Sequence, residues 1–266
     1  MNARSSSGID WSTSVAAVWR ARRNILRPVA RLDAITLDDL LGIERQKCAL
    51  VANTERFVKG APCNNALLWG ARGTGKSSLI KALLNGFAGR GLRVIEVDKD
   101  DLADLPDIVD DLRELPQRFI IFCDDLSFDA GESGYKHLKS VLEGSIELPP
   151  ENVLIYATSN RRHLMPEHSE DNRAVAIHGG ELHLGDAIEE KLSLADRFGL
   201  QLSFYPIGWD DYFAVVDHLF DVRGQKISQS ARDALHQKAR QFALDRASHS
   251  ARVAKQFWQA EAGADK

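Results

Sequence analysis

The stretch ALLWGARGTGKSSLIKALLNGFAG, Ala66–Gly89, changes character twice. Its opening run, ALLWG, is apolar without alternation, as a strand buried on both faces requires. Glycines then punctuate the chain at 70, 73 and 75, and from Lys76 onward apolar residues recur at helical spacing. Strand, tight loop and helix follow one another, and the loop fits G-x-x-x-x-G-K-[ST] through Gly70, Gly75, Lys76 and Ser77. Glycines let the backbone curl so that successive N–H groups face phosphate oxygens, beside a helix N-terminus that favours anions. The expected phosphate cradle is therefore Gly70, Ala71, Arg72, Gly73, Thr74, Gly75, Lys76, Ser77 and Ser78. Lys76 is expected to reach the outer phosphates of ATP and the Ser77 hydroxyl to ligate Mg²⁺. The competing reading is a glycine-rich turn without a ligand.

A second stretch, FIIFCDD, Phe119–Asp125, ends an apolar run on two adjacent carboxylates. Like charges at a strand end repel, and burying either unpaired costs on the order of several kcal/mol. A cation removes the conflict. In phosphate-loop NTPases it is held by the loop hydroxyl and by an acid ending a neighbouring strand, which assigns Asp124 beside Ser77. Asp125 then becomes the candidate that orients or deprotonates the attacking water; the alternative is a cap on the next turn.

Three further runs, LRVIEVD (92–98), VLIYATSN (153–160) and LQLSFYP (200–206), have the same continuous apolarity, with room for crossover helices between most of them. A parallel α/β sheet flanked by helices is expected over 34–207. After Pro206 the strands stop, and WDDYFAVVDHLF, SQSARDALHQKARQFALDR and SARVAKQFWQAEA read as a small all-helical lid over 208–266. Residues 1–33 are expected to form an N-terminal basic helical segment, Ser-rich and mobile at first, then an amphipathic helix from Trp11 stopped near Pro28. Residues 161–190 lack periodicity and read as a long excursion. It holds His163, His168, His178 and His183, but no cysteine is near to complete a zinc site.

The composition is that of a globular protein, 44% hydrophobic and 27% charged, with a formal net charge of -4. So small a charge does not indicate nucleic acid as a partner, although the basic N-terminal segment leaves that contact possible. No run approaches the ~18 apolar residues of a membrane span. Three cysteines, Cys48, Cys63 and Cys123, form no C-x-x-C pair, which suits unlinked thiols in a reducing cytoplasm.

The order of these features resembles the AAA+ P-loop ATPases from about residue 34 onward. LDDLLGI is similar to the segment whose backbone contacts adenine, which implies Leu41, Gly42 and Ile43. YATSN is similar to the sensor-1 strand end, implying that Asn160 positions water; the alternative is a polar turn. SLADRFG resembles the arginine-finger region, implying that Arg197 reaches the nucleotide of a neighbouring subunit; the alternative is a surface ion pair. SHSARVAKQF is similar to the sensor-2 helix, implying Arg252 over the phosphates; the alternative is a solvated arginine. Whole phrases, GARGTGKSSLIKALLN, FCDDLSF and EEKLSLADRFGLQLSFYP among them, resemble a bacterial AAA+ family catalogued as domain of unknown function 815.

Two departures from the AAA+ pattern stand out. DKDDLADLPD lies where polypeptide-threading relatives carry an aromatic pore loop, which argues against threading. Asp125 replaces the usual glutamate, and a carboxylate one methylene shorter implies slow hydrolysis. The resemblance implies a homo-oligomeric ATPase with ATP sites at subunit interfaces, remodelling or assembling an unknown protein partner. The alternatives are a non-hydrolysing or very slow ATP-dependent switch and, with less support, a P-loop small-molecule kinase.

Overall fold

Seven strands form, β1 (Ala16–Arg20), β2 (Ile25–Pro28), β3 (Ala66–Gly70), β4 (Leu92–Glu96), β5 (Arg118–Cys123), β6 (Val153–Ser159) and β7 (Leu200–Phe204). The computed structural model describes residues 8–127, 134–144, 147–160, 194–222 and 229–264. The strands make one sheet ordered β2-β1-β4-β5-β6-β3-β7. From β4 to β7 every pairing is parallel, as the continuous apolar runs predict. Alternate residues of β5 explain that apolarity. Phe119, Ile121 and Cys123 face one core with α3 (Leu105–Leu112) and α4 (Gly134–Glu143). Ile120 and Phe122 face another with α1 (Glu44–Val58) and α2 (Lys76–Phe87). With helices on both sides, no strand position can be polar without a partner.

The expected N-terminal helix is not there. Residues 16–28 form an antiparallel hairpin, and β1 also pairs parallel with β4, extending the sheet. The arginines at 20, 22, 23 and 27 fall at a spacing that mimics a polar helix face, yet they belong to a turn and to exposed strand positions. Asn24 makes the turn in the left-handed region (φ 51°), which asparagine tolerates. Trp11 and Trp19 supply the burial. Trp11 packs edge-on against Phe119 at 5.0 Å, and Trp19 Nε1 donates to Asp104 Oδ2 at 2.8 Å. Buried Arg93 ties this segment down by donating from Nε to the Trp11 carbonyl at 2.8 Å.

Neither sheet edge is a bare row of backbone groups. Outer strand β2 is short and contains Pro28, while the Ser203 carbonyl of β7 accepts from Gln46 Nε2 at 2.8 Å. Beyond β7, helices α5 (Trp209–Val222), α6 (Gln229–Asp245) and α7 (Ala251–Ala264) close around their own core of Tyr212, Val216, Ala239, Ala254 and Phe257. Leu41 packs against that core from the other side of the chain. The first seven residues, the 161–190 excursion and its four histidines lie outside the described residues. Among the described residues, no helix is long and apolar enough to cross a membrane.

Trp19→Ala tests the hairpin. Removing a buried tryptophan from a sheet costs about 3–5 kcal/mol, to be read by urea unfolding. A loss near zero would return this segment to a surface role.

Candidate active site

Register fixes where the phosphate loop emerges. β3 lies between β6 and β7, with Gly70 opposite Phe204. The neighbours of β3 in the sheet are not its neighbours in sequence, so the strand order reverses here, and ligands bind at such points beyond the carboxyl ends of strands. Gly70 has φ 127°, and a Cβ there would stand 2.0 Å from the Phe204 carbonyl oxygen. That carbonyl instead accepts the Ala71 N–H at 2.9 Å. Gly73 (φ 75°) is needed for another reason: its Cβ would lie 2.7 Å from Ser250 Oγ, at the start of α7. The loop glycine outside the sequence signature thus marks where the helical region touches the loop.

Lys76 opens α2 and is almost fully buried. Its Nζ donates to the Gly70 carbonyl (2.9 Å), the Ala71 carbonyl (2.7 Å) and Asn160 Oδ1 (3.2 Å). Burial pulls its pKa down to about 8; Asp125 and Asp124 work against that shift, and Arg252 and Arg72 add to it. Asn160 Nδ2 in turn donates to Asp125 Oδ1. The ammonium can only donate and the ionised carboxylate only accept, so the chemistry of its two neighbours fixes the orientation of the amide.

Asp124 ends β5 with one oxygen heavily used. Its Oδ1 accepts from Ser77 Oγ at 2.6 Å, from Thr158 Oγ1 at 2.5 Å and from the Asp125 N–H at 3.2 Å. Asp125 follows in the left-handed region (φ 51°) and donates its N–H to Thr158 Oγ1 at 2.9 Å. A hydroxyl beside a carboxylate is a hard-oxygen pair of the kind that suits Mg²⁺, which takes few protein ligands and keeps its waters.

These groups line one cavity of about 920 Å³. Arg72, Gly73, Gly75, Ser78, Arg252 and Lys255 share it, and Val215, His218 and Leu219 of α5 form its far wall. Opposite α5 stand Ala34, Ile35, Asp39 and Leu40, whereas Leu41, Gly42 and Ile43 are not among the lining residues. Leu41 turns to the helical core and Ile43 to the sheet core. Within LDDLLGI, it is Asp39 and Leu40 that line the cavity. His218 Nε2 and Asp39 Oδ1, both in the lining, meet at 3.0 Å. Burial disfavours the Asp39 charge, but hydrogen bonds from Thr36 and His218 keep its carboxyl below the ordinary value.

Arg197 is elsewhere. It precedes β7, and the pairing of Ala66 with Leu200 and Gly70 with Phe204 puts it past the amino ends of the strands. At about 3.3 Å per residue, a five-residue strand separates it from its own phosphate loop by some 16 Å. There Arg197 Nε lies 2.5 Å from Glu143 Oε1, beside a second cavity of about 520 Å³. The contributions of Thr158, Ile35, Asp39 and His218 were not foreseen. For Thr158 a signal existed: it lies two residues before Asn160, and strand parity puts both on one face.

A family model described as a protein of unknown function, DUF815, matches residues 12–265. The chain belongs to the DUF815 family. No curated protein matches the sequence. Among solved structures, a RuvB variant from Thermotoga maritima is similar over 85% of this chain and 72% of its own, at 15% identity and TM-score 0.50. The replication initiator DnaA bound to AMPPCP and single-stranded DNA is similar over 86% of this chain and 66% of its own, at 17% identity and TM-score 0.53. This DUF815 chain thus has the AAA+ ATPase fold, an α/β phosphate-loop sheet followed by helices.

The lowered Lys76 pKa carries a sign. Below about 8 the ligand-free ammonium is charged; above it, binding an anion requires proton uptake. Phosphate groups are ionised well below this range. ATP affinity should therefore be level up to about pH 8 and then fall by about tenfold per pH unit. A level profile through the alkaline range, by titration calorimetry, would mean either that the free ammonium titrates well above 8 or that Lys76 does not contact phosphate.

Proposed function

We propose that this chain is an ATPase that binds ATP with Mg²⁺, hydrolyses it slowly, and uses the cycle to remodel or assemble a protein partner. The observation that carries this reading is the joining of Lys76, Ser77, Asp124, Asp125, Thr158 and Asn160 by hydrogen bonds at the carboxyl ends of β3, β5 and β6. In this reading the loop amides and Lys76 hold the phosphates, Ser77 and Asp124 hold the cation, and Arg252 and Lys255 face the phosphates from α7. Bound Mg²⁺ supplies neutralisation of charge on the phosphoryl oxygens. Asp125 orients a water and accepts its proton, and Asn160 holds the Asp125 carboxylate in place.

Two features support slowness. The aspartate carboxylate is short, and its Oδ1 already accepts from Asn160. A misplacement of about 1 Å can lower a rate by ~10². Arg197 is too far from its own site to act there, so we assign it to the site of a neighbouring copy in a homo-oligomer. Its partnership with Glu143 would be exchanged on assembly. The free thiols of Cys48, Cys63 and Cys123 support placement in the cytoplasm.

Asp125→Asn is expected to bind ATP normally and to lose nearly all turnover in single-turnover assays; a wild-type rate would remove Asp125 from the chemistry.

For Arg197, the expected loss in Arg197→Ala is about 10³-fold in hydrolysis with binding retained. Mixing that variant with Lys76→Ala should restore activity at interfaces that join an intact Lys76 to an intact Arg197. No recovery in assembled mixtures would argue against action between subunits.

A further inference from the structure

Thr158 is buried at the end of β6, and its single hydroxyl touches both acids. Oγ1 donates to Asp124 Oδ1 at 2.5 Å and accepts the Asp125 N–H at 2.9 Å. The direction of both bonds is fixed. An amide N–H can only donate, so the hydroxyl must accept from it and spend its one proton on the carboxylate. No other side-chain hydroxyl among the described residues bonds to both residues.

We propose that Thr158 is a positioning residue that sets the geometry of the metal-side and water-side carboxylates together. This rests on the ATPase reading above and assigns the alignment of its two acids to one group. The hydroxyl acts at each end in a different way. At Asp124 it shares Oδ1 with Ser77, and in this proposal that leaves the other oxygen of a residue lining the cavity for the cation. At Asp125 it binds the backbone rather than the side chain. It pins the peptide whose residue adopts φ 51°, and that conformation carries the Asp125 carboxylate to Asn160.

Asn160, directly after the same strand and two residues on, holds the same carboxylate. Backbone and side chain of Asp125 are thus both fixed from β6, so the position of β6 against β5 sets where the short acid points. The register pairing Cys123 with Ala157 brings Thr158 beside Asp124. An aspartate with a free backbone would lose its aim more readily than a glutamate with an extra methylene to adjust, so a hydroxyl at 158 has most to contribute where the acid is short.

Thr158→Val keeps the β-branched shape and the buried volume and removes only the hydroxyl. Expected is a fall in kcat of about 10²-fold with the KM for ATP within about threefold, since ligand-orienting partners typically contribute 10–100-fold. Mn²⁺ affinity, read by electron paramagnetic resonance on the protein with ADP, should fall by about tenfold or more. Thr158→Ser should return both to within a few-fold of wild type. A purely structural role would lower the melting temperature without splitting kcat from KM and without moving Mn²⁺ affinity. If Thr158→Val does not fold, Thr158→Cys, of similar volume but a weak donor, gives the same comparison. A folded hydroxyl-free variant with wild-type kcat and Mn²⁺ affinity overturns the proposal. Absence of ATP binding or hydrolysis in the wild-type protein overturns instead the reading on which it rests.

Discussion

The Phe204 carbonyl oxygen lies where Gly70 would carry a side chain, and it accepts the next amide, that of Ala71. Through this contact the edge strand β7 decides the direction in which the chain leaves β3. The turn puts the Lys76 ammonium against the carbonyls of Gly70 and Ala71, and it starts α2 so that Ser77 meets Asp124. A side chain at position 70 would shift the strand, the loop or both. The acids and Asn160 come from the other side of β3, so the two halves of the site meet over a single glycine.

Lys76, Asn160 and Asp125 form a chain of alternating donors and acceptors with a defined polarity. An ammonium already engaged by three oxygens does not wait as a free charge. An anion that takes Lys76 must displace protein oxygens, and the release of Asn160 Oδ1 is felt at the Asp125 carboxylate. In the proposed ATPase, occupancy of the loop by phosphate and alignment of Asp125 are coupled in this way. Elsewhere in the cavity lining, His218 and Asp39 join α5 to the segment before α1, and Gly73 meets Ser250. The helical region therefore meets the site through both α5 and the start of α7.

The sheet was legible because each central strand is buried on both faces, which leaves an unbroken apolar run between glycines and prolines. The β3–loop–α2 arrangement, and the meeting of Ser77 with Asp124 after β5, were legible because the glycine spacing and the paired acids are local in sequence. The hairpin was not. Val15 to Trp19 is an apolar run too short to separate a strand from a helix turn, and the arginines after it happen to fit a helical stripe. Its turn signal is Asn24, a single residue in the left-handed region, and its edge signal is Pro28. Pairings such as Asp124 with Thr158 and Asp39 with His218 join distant positions, so spacing along the chain carries no trace of them. Thr158 stood inside a quoted motif, but only the register of β6 on β5 gives its hydroxyl two partners.

The blunted rims of the sheet bear on how copies of this molecule can meet. Strand addition needs a row of free amides and carbonyls. One rim offers a short strand that contains an imino acid, and the other has a carbonyl already taken by a glutamine amide. Among the described residues, neither rim offers an unbroken template for cross-β growth. Both rims thus favour association through side chains and loops, in contacts that can be made and broken without unzipping a backbone ladder. That reversibility is what a protein requires if its assembly is to follow the state of a small ligand rather than outlast it.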